Sequence, residues 1–424
     1  MKKIVLLVCL FGLLCGLHAQ TAQDEIYADV RRSGGNYYAY PEVENWVLTP
    51  APQGYKPFYI SAYARHGSRF LISDGSYTSP LQTLKAADQL GKLTPLGQKV
   101  MAVVGAMSVM SDKRLGELTP LGAIQHQGIA QRMYRNFPEV FQGQAAVDAR
   151  STVVIRCILS MLNECNELKA KNPRIDIKTD ASQHDMYYMN DDAKEIRKFR
   201  DVPEVKAAVD KFRNKYEPNP ERLMNTLFSD ISYARDSVNG RRLMKQLFDI
   251  ASNMQSHKHQ TDMELYSIFT KEECYKLWLV SNFQWYVNYG ASPLTQGKMP
   301  YMEANLLKNM LDTADSCVSA KTNGATLRFG HDTCVLPLQA LMELGDCGIV
   351  IDDPEQVADK WRTYNIVGMA DNVQLVFYRK NGSKDVLVKA LLNEKEVTMP
   401  VATDIAPYYH WKDVEAYYRA KLAR

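Results

Sequence analysis

Three stretches far apart in this chain end in the same way. An apolar run stops, a glycine or a hydroxyl pair follows, and charged side chains appear at once. The first is KPFYISAYARHGSR, where the run over residues 58–63 leads into Arg65, His66, Gly67 and Arg69. The second is AAVDARSTVVIRCILS. Residues 145–150 read as a short strand, Ser151 or Thr152 as a helix N-cap, and Arg156 falls in the first turn of the helix that follows. The third is GATLRFGHDTCVLPLQALMELG, a strand over 325–329 broken by Gly330. His331 and Asp332 come next, then a helix from Thr333 with Pro337 accommodated in its first turn. Strands that each run into a helix predict an α/β fold. In open α/β sheets, ligands bind just past the strand ends, where these charged residues fall.

The remaining segments fill in the architecture. GELTPLGAIQHQGIAQRMYRNFP has Thr119 as N-cap, Pro120 at the first helical position and a helix reaching about Asn136. Leu121, Ile124 and Gly128 give it a packing face, and His126 reads as a structural residue in mid-helix. NVQLVFYRKNGSKDVLVKALLNE, after Asp371, carries two alternating runs around an Asn-Gly turn, which predicts a hairpin. Between 191 and 309 the texture becomes helical, with breaks at Pro203, Pro218, Pro220 and Gly240 and a buried aromatic helix in KEECYKLWLVSNFQWYVNYG. We expect an α-helical cap over 191–309, inserted into an α/β core made of 20–190 and 310–424.

Residues 1–19 read as a secretory signal peptide. Lys2 and Lys3 precede an apolar run over 4–17, and Ala19 supplies the small residue before cleavage. The run is short for a membrane span, and Leu14 before Cys15 does not suit a lipoprotein signal. The expected product is exported to the periplasm or cell surface, with no membrane span after signal removal. Without Lys2 and Lys3, the 51 Lys and Arg become 49 against 48 Asp and Glu. A nucleic-acid binder needs a basic excess, so nucleic acid is excluded as a partner and anion recognition must be local. Cys157, Cys165, Cys274, Cys317, Cys334 and Cys347 are even in number, which permits disulfides but assigns none. Their spacings do not suit zinc. The pair His257 and His259 in HKH, on a polar helix, reads as a solvated face. Neither a metal nor a cofactor is called for, and we expect a monomer.

A phosphate monoester is the anion these residue types suit. Arginine's planar fork matches phosphoryl oxygens, and cleaving the ester needs an in-line nucleophile and a proton for the leaving oxygen. His66 attacks only while neutral, and Arg65 and Arg69 disfavour its protonation. Gly67 is expected to let the backbone approach the ligand. Arg156 at a helix N-terminus adds a second fork, His331 a further donor, and Asp332 beside a bound dianion becomes a general acid. A phosphotransferase would use the same groups. A non-catalytic binder of phosphorylated ligands would need neither His66 nor Asp332. His184 has a minor claim on the site. Lys194, Arg197, Lys198 and Arg200 could line a pocket rim, but read better as a solvated helix face.

In order and spacing these motifs resemble the histidine acid phosphatases, branch 2 of the histidine phosphatase superfamily. RHGSR resembles the RHGxRxP signature, STVVIRCILS the middle block with its arginine at Arg156, GHDTCVLPL the C-terminal His-Asp element, and GELTPLG a recurrent segment. The resemblance implies a phosphoglycerate-mutase-like three-layer α/β core with an inserted helical cap. It implies catalysis through a phosphohistidine on His66, with Asp332 as proton donor and Arg65, Arg69, Arg156 and His331 holding the phosphoryl group. Metal is not required, and substrates range from simple phosphate esters to inositol polyphosphates such as phytate. Leu71 stands where the signature has proline. The stretch FLISDGSYTSPLQTL is similar to that of multiple inositol polyphosphate phosphatases, which carry His-Ala-Glu where this chain has His331-Asp332-Thr333.

Overall fold

A computed structural model describes residues 20–423, apart from 44–45, 192 and 321–322. The expected signal, 1–19, lies outside the described residues. Among those described, one sheet holds eight strands: β1 (Tyr55–Arg65), β2 (Ala146–Ser151), β3 (Asp176–Asp180), β4 (Gly324–Gly330), β5 (Asn372–Lys380), β6 (Val386–Leu392), β7 (Lys395–Val397) and β8 (Tyr409–His410). Their order is β3-β2-β4-β1-β5-β6-β7, with β8 also on β6. The β3-β2, β2-β4 and β4-β1 pairs are parallel, and β5 joins β1 antiparallel. The hairpin read around Asn381-Gly382 is β5–β6, with Arg379 opposite Val386.

Both faces of the sheet are covered, which is why β1 and β4 read as nearly unbroken apolar runs. Strand side chains alternate. Tyr59 and Tyr63 enter one core with Trp278, Leu306, Val335 and Leu336. Ile60, Ala62 and Ala64 enter the other with Ile129, Met133, Met161 and Leu168. The result is a three-layer α/β core. A third cluster lies apart from the sheet. It joins Leu84, Val104 and Met107, from the helices Gly75–Gln89 and Pro95–Met110, to Leu223, Leu247 and Phe248. This helical cap therefore draws on sequence before β2 as well as after it. The aromatic helix Lys271–Tyr289 links the layers, with Cys274 in the cap cluster and Trp278 on the sheet.

Three helices position the site: α1 (Pro120–Asn136), α2 (Ile155–Lys171) and α3 (Asp332–Leu341). The Thr119 hydroxyl caps α1 as expected, accepting from the Gly122 N–H. The buried face of α1 is Leu121, Gln125, His126, Ile129 and Met133, whereas Ile124 points to solvent. Rows spaced by four residues from Leu121 face the core, and Ile124 lies one row off. Helix α2 starts at Ile155 with Val154 as its cap, because Ser151 is still in β2 and Thr152 is turned towards His331. Helix α3 starts one residue early, capped by His331, so Pro337 sits beyond the first turn. Cys157, Cys165, Cys274, Cys317, Cys334 and Cys347 are all free thiols. Among the described residues, no helix is long and apolar enough to cross a membrane.

Candidate active site

Register brings the three motifs together. Arg65 is opposite Gly330 across β1–β4, and Phe329 is opposite Ser151 across β4–β2. The parallel strands therefore end level, and the residues that follow emerge at one edge. The His66 and His331 rings lie 5.8 Å apart between centroids.

His66 is 1% exposed. Its Nδ1 lies 2.9 Å from the Gly67 carbonyl oxygen. A carbonyl oxygen only accepts, so Nδ1 carries the proton and Nε2 keeps its lone pair. Burial, then the charges of Arg65, Arg69 and Arg156, hold this imidazole well below its usual range. It stays neutral in acid, as the flanking arginines led us to expect.

The arginines are held by their ends. Arg65 is fully buried, and its Nη1 donates to the carbonyls of Asn36 at 2.5 Å and Val367 at 2.8 Å. Arg69 Nη1 donates to the Phe70 carbonyl at 2.9 Å, and its guanidinium lies 5.5 Å from the Tyr37 ring centroid. Arg156 Nη1 reaches the Gly116 carbonyl at 3.4 Å. In all three, Nε is buried without a hydrogen-bond partner. Buried donors are almost always satisfied, so unspent guanidinium donors around a neutral histidine suit an anionic ligand.

His331 is 8% exposed, with Nε2 3.2 Å from the Thr152 hydroxyl. Burial and then Arg156 bring it down to about 4. Asp332 is pulled both ways. Burial raises it, but Arg65, Arg69 and the Asn36 amide prevail and bring it to about 2. Its Oδ2 lies 2.8 Å from Arg65 Nη2 and 3.1 Å from Asn36 Nδ2, and its Oδ1 accepts from the Thr333 N–H at 2.9 Å. Without a ligand, Asp332 is an ionised partner of Arg65.

Gly67 departs from its expected use. A Cβ there would lie 2.4 Å from the Gly122 carbonyl oxygen, and one on Gly122 would lie 2.3 Å from that of Ser68. What approaches Gly67 is helix α1, so the two glycines let helix and loop backbones touch. His257 is also not solvated. It is buried against the Phe70 ring, 4.5 Å between centroids, and bonds Asn253, whose amide donates to the Arg69 carbonyl at 2.8 Å. The His184 side chain is 86% exposed and pairs with Asp185. Lys194 and Lys198 are exposed, but Arg200 is half-buried over the Tyr289 ring, 5.4 Å from its centroid. Arg200 lines a separate cavity with Val205, Arg213, Asn288 and Tyr289.

Asn36 and Tyr37 escaped the sequence reading. They end the segment Val30–Tyr37, where Gly35 takes a φ of 56°. The Gly-Gly pair before Asn36 marks a tight turn, but nothing local says that it meets Asp332. Among the described residues, no group of three His, Cys, Asp or Glu side chains could hold a metal ion.

The family model described as histidine phosphatase superfamily (branch 2) matches residues 61–393. The chain belongs to this family. No curated protein matches it significantly. Among solved structures, the Bifidobacterium longum multiple inositol polyphosphate phosphatase in complex with phosphate aligns with a TM-score of 0.77 at 18% identity, covering 92% of this chain and 98% of that one. A phytase from D. castellii aligns at 0.71 and 15% identity, over 93% of this chain and 85% of the other. Hafnia alvei phytase aligns at 0.53 and 13%, over 88% and 98%. At these identities the likeness is one of fold. This histidine phosphatase thus has the α/β core and helical cap that its motifs implied.

Proposed function

We propose that this phosphatase hydrolyses phosphate monoesters through a covalent phosphohistidine on His66. The observation that carries the reading is the lone pair of His66 Nε2, kept unprotonated among three arginines with unspent donors. Arg65, Arg69, Arg156 and His331 hold the phosphoryl oxygens. A bound dianion displaces Asp332 from Arg65 and raises its proton affinity, so Asp332 takes up a proton. Nε2 attacks phosphorus, the ester P–O bond breaks, and the leaving oxygen takes the Asp332 proton. Water then attacks the phosphohistidine and returns a proton to Asp332. The P–N bond breaks and phosphate leaves.

Inositol polyphosphates are the proposed substrates. The fold neighbours include enzymes named for them. The cap, 191–309 together with the helices that share its core, would shape the rim of the site. The leader at 1–19 supports export to the periplasm or cell surface, and we take the working unit as a monomer. Acid-stable precautions do not suit a phosphohistidine, so the test is an alkaline quench of enzyme mixed with radiolabelled substrate. Wild type should retain label at His66, and His66→Ala none. Label retained by His66→Ala would overturn the assignment.

A further inference from the structure

From Arg65 to Ser68 the backbone polar groups of the loop that carries His66 are met, and helices α1 and α2 supply the partners that the sheet cannot. Arg65 N–H donates to the Asp371 carbonyl at 2.8 Å and His66 N–H to the Gly330 carbonyl at 2.9 Å, while the His66 carbonyl accepts from Ala370 N–H at 3.1 Å. Gly67 N–H donates to the Ser160 hydroxyl at 3.1 Å. Ser68 N–H donates to Gln125 Oε1 at 2.8 Å, and the Ser68 carbonyl accepts from the Thr119 hydroxyl at 3.1 Å. The Arg65 carbonyl lies where pairing with β5 has already ended at Ala64–Asn372. It is met by His126 Nε2 at 3.1 Å. The other nitrogen of that ring, Nδ1, lies 2.9 Å from Glu164 Oε2. His126 is fully buried, and Glu164 is 2% exposed.

We infer that His126 is a positioning residue for the phosphatase reaction: oriented by Glu164, it donates from Nε2 to the Arg65 carbonyl and so fixes the peptide that carries both Arg65 and His66. The carbonyl cannot donate, so this contact requires a proton on Nε2. The Nδ1–Glu164 contact needs a proton as well, so the ring and the carboxyl together hold two, one in each hydrogen bond, and Glu164 fixes the plane of the ring. The geometry explains why a histidine and a glutamate lie dry beneath the loop. A buried pair of this kind adds little net stability compared with apolar residues, but it fixes one ring orientation. Arg65 binds phosphate and His66 attacks it, so a rotation of their shared peptide moves the clamp and the nucleophile at once. A misplacement of about 1 Å at such a point costs up to about 100-fold in rate.

The inference rests on the phosphohistidine reading, and the experiment separates the two. Phosphoenzyme formation is followed by rapid quench in wild type, His126→Phe, His126→Gln and Glu164→Gln. His126→Phe removes the donor and should slow formation at least about tenfold, with the KM of a nitrophenyl ester changing less than about threefold. His126→Gln places an amide N–H near the position of Nε2 and should recover most of the rate. Glu164→Gln still bonds Nδ1 and should lose little. Nitrogen-15 spectra of histidine-labelled wild type supply a reading that does not depend on any variant folding. One slowly exchanging imidazole N–H, absent from His126→Gln, should be assigned to Nε2. An unprotonated Nε2 on His126, or a folded His126→Phe with unchanged phosphorylation rate, refutes the positioning role. Failure of wild type to form any phosphoenzyme refutes the underlying mechanism instead.

Discussion

Arg65 is already engaged before any substrate arrives. Its Nη2 lies 2.8 Å from Asp332 Oδ2. The Asp332 carboxyl falls from 3.8 to about 2, because Arg65, Arg69 and Asn36 outweigh the cost of burial. A drop of that size corresponds to about 2.5 kcal/mol favouring the ionised form. A dianion that takes over Arg65 forfeits much of this, unless Asp332 picks up a proton and ceases to compete. Dianion binding should therefore be proton-linked. Sulfate is the right probe, since it stays a dianion across the working range while phosphate changes its own charge. For wild type, the Asp332 contribution should weaken sulfate binding by up to about tenfold per pH unit between pH 4 and 7. Asp332→Asn removes the competitor and should bind sulfate on the order of 10³-fold more tightly at pH 5, the cost of protonating a carboxyl that lies at about 2. His331, at about 4, adds its own proton linkage at the acid end in both proteins, so their difference isolates Asp332. Calorimetry at pH 5 in two buffers of different ionisation heat counts the protons directly. Wild type should take up close to one more than the variant. Equal affinities and equal proton counts would show that the ligand never displaces Asp332, and would remove the route by which this carboxylate becomes an acid.

Three further outcomes follow from the same geometry. Asp332→Ala should slow alkyl phosphates by about 10²–10⁴-fold and nitrophenyl phosphate far less, since only a poor leaving group needs the proton; equal slowing in steady-state assays argues against the acid role. His331 lies at about 4 in the fold against 6.5 in the unfolded chain, so only the unfolded chain gains its proton as pH falls between these values. That site should cost about 3 kcal/mol of stability across the window, His66 adds in the same direction, and His331→Asn should flatten the slope in urea unfolding at pH 4.5, 5.5 and 6.5. Gly67→Ala puts a Cβ 2.4 Å from the Gly122 carbonyl oxygen, between two backbones that have no side chain to move. It should lower stability by roughly 3 kcal/mol and abolish phosphoenzyme formation; an unchanged melting temperature contradicts the close packing.

How much of this could be read without coordinates depends on how each residue carries its information. The strand ends were legible because the signal is local. An apolar run buried on both faces, a break and a charged residue fall within about ten positions, and parallel pairing then brings such ends to one edge. Arg65, His66, Arg69, Arg156, His331 and Asp332 come together for that reason. Where the reading failed or went no further than calling a residue structural, the missing quantity was a partner far along the chain. His126 sits among polar neighbours in sequence and is fully buried in the fold, because its partners are the Arg65 carbonyl and Glu164, 61 and 38 positions away. His257 reads as solvated beside Lys258 and His259, until Phe70 covers it. Asn36 reaches Asp332 across 296 positions.

Gly67 shows the limit most sharply, and also what lies beyond it. Beside a histidine and two arginines, a glycine invites the reading that a ligand needs room. The structure gives that room to Gly122, which reads by itself as an ordinary glycine in the first turn of a helix. Each glycine is explained only by the other. The contact between them lets Thr119, Gln125 and His126 reach the loop backbone at hydrogen-bonding distance. With a side chain at either position, α1 would stand off, and the Ser68 amide and the Arg65 carbonyl would lose their partners. The chemistry proposed for His66 would therefore depend on a backbone contact between its loop and α1. A variant that loses catalysis at Gly122 should do so with its catalytic side chains intact.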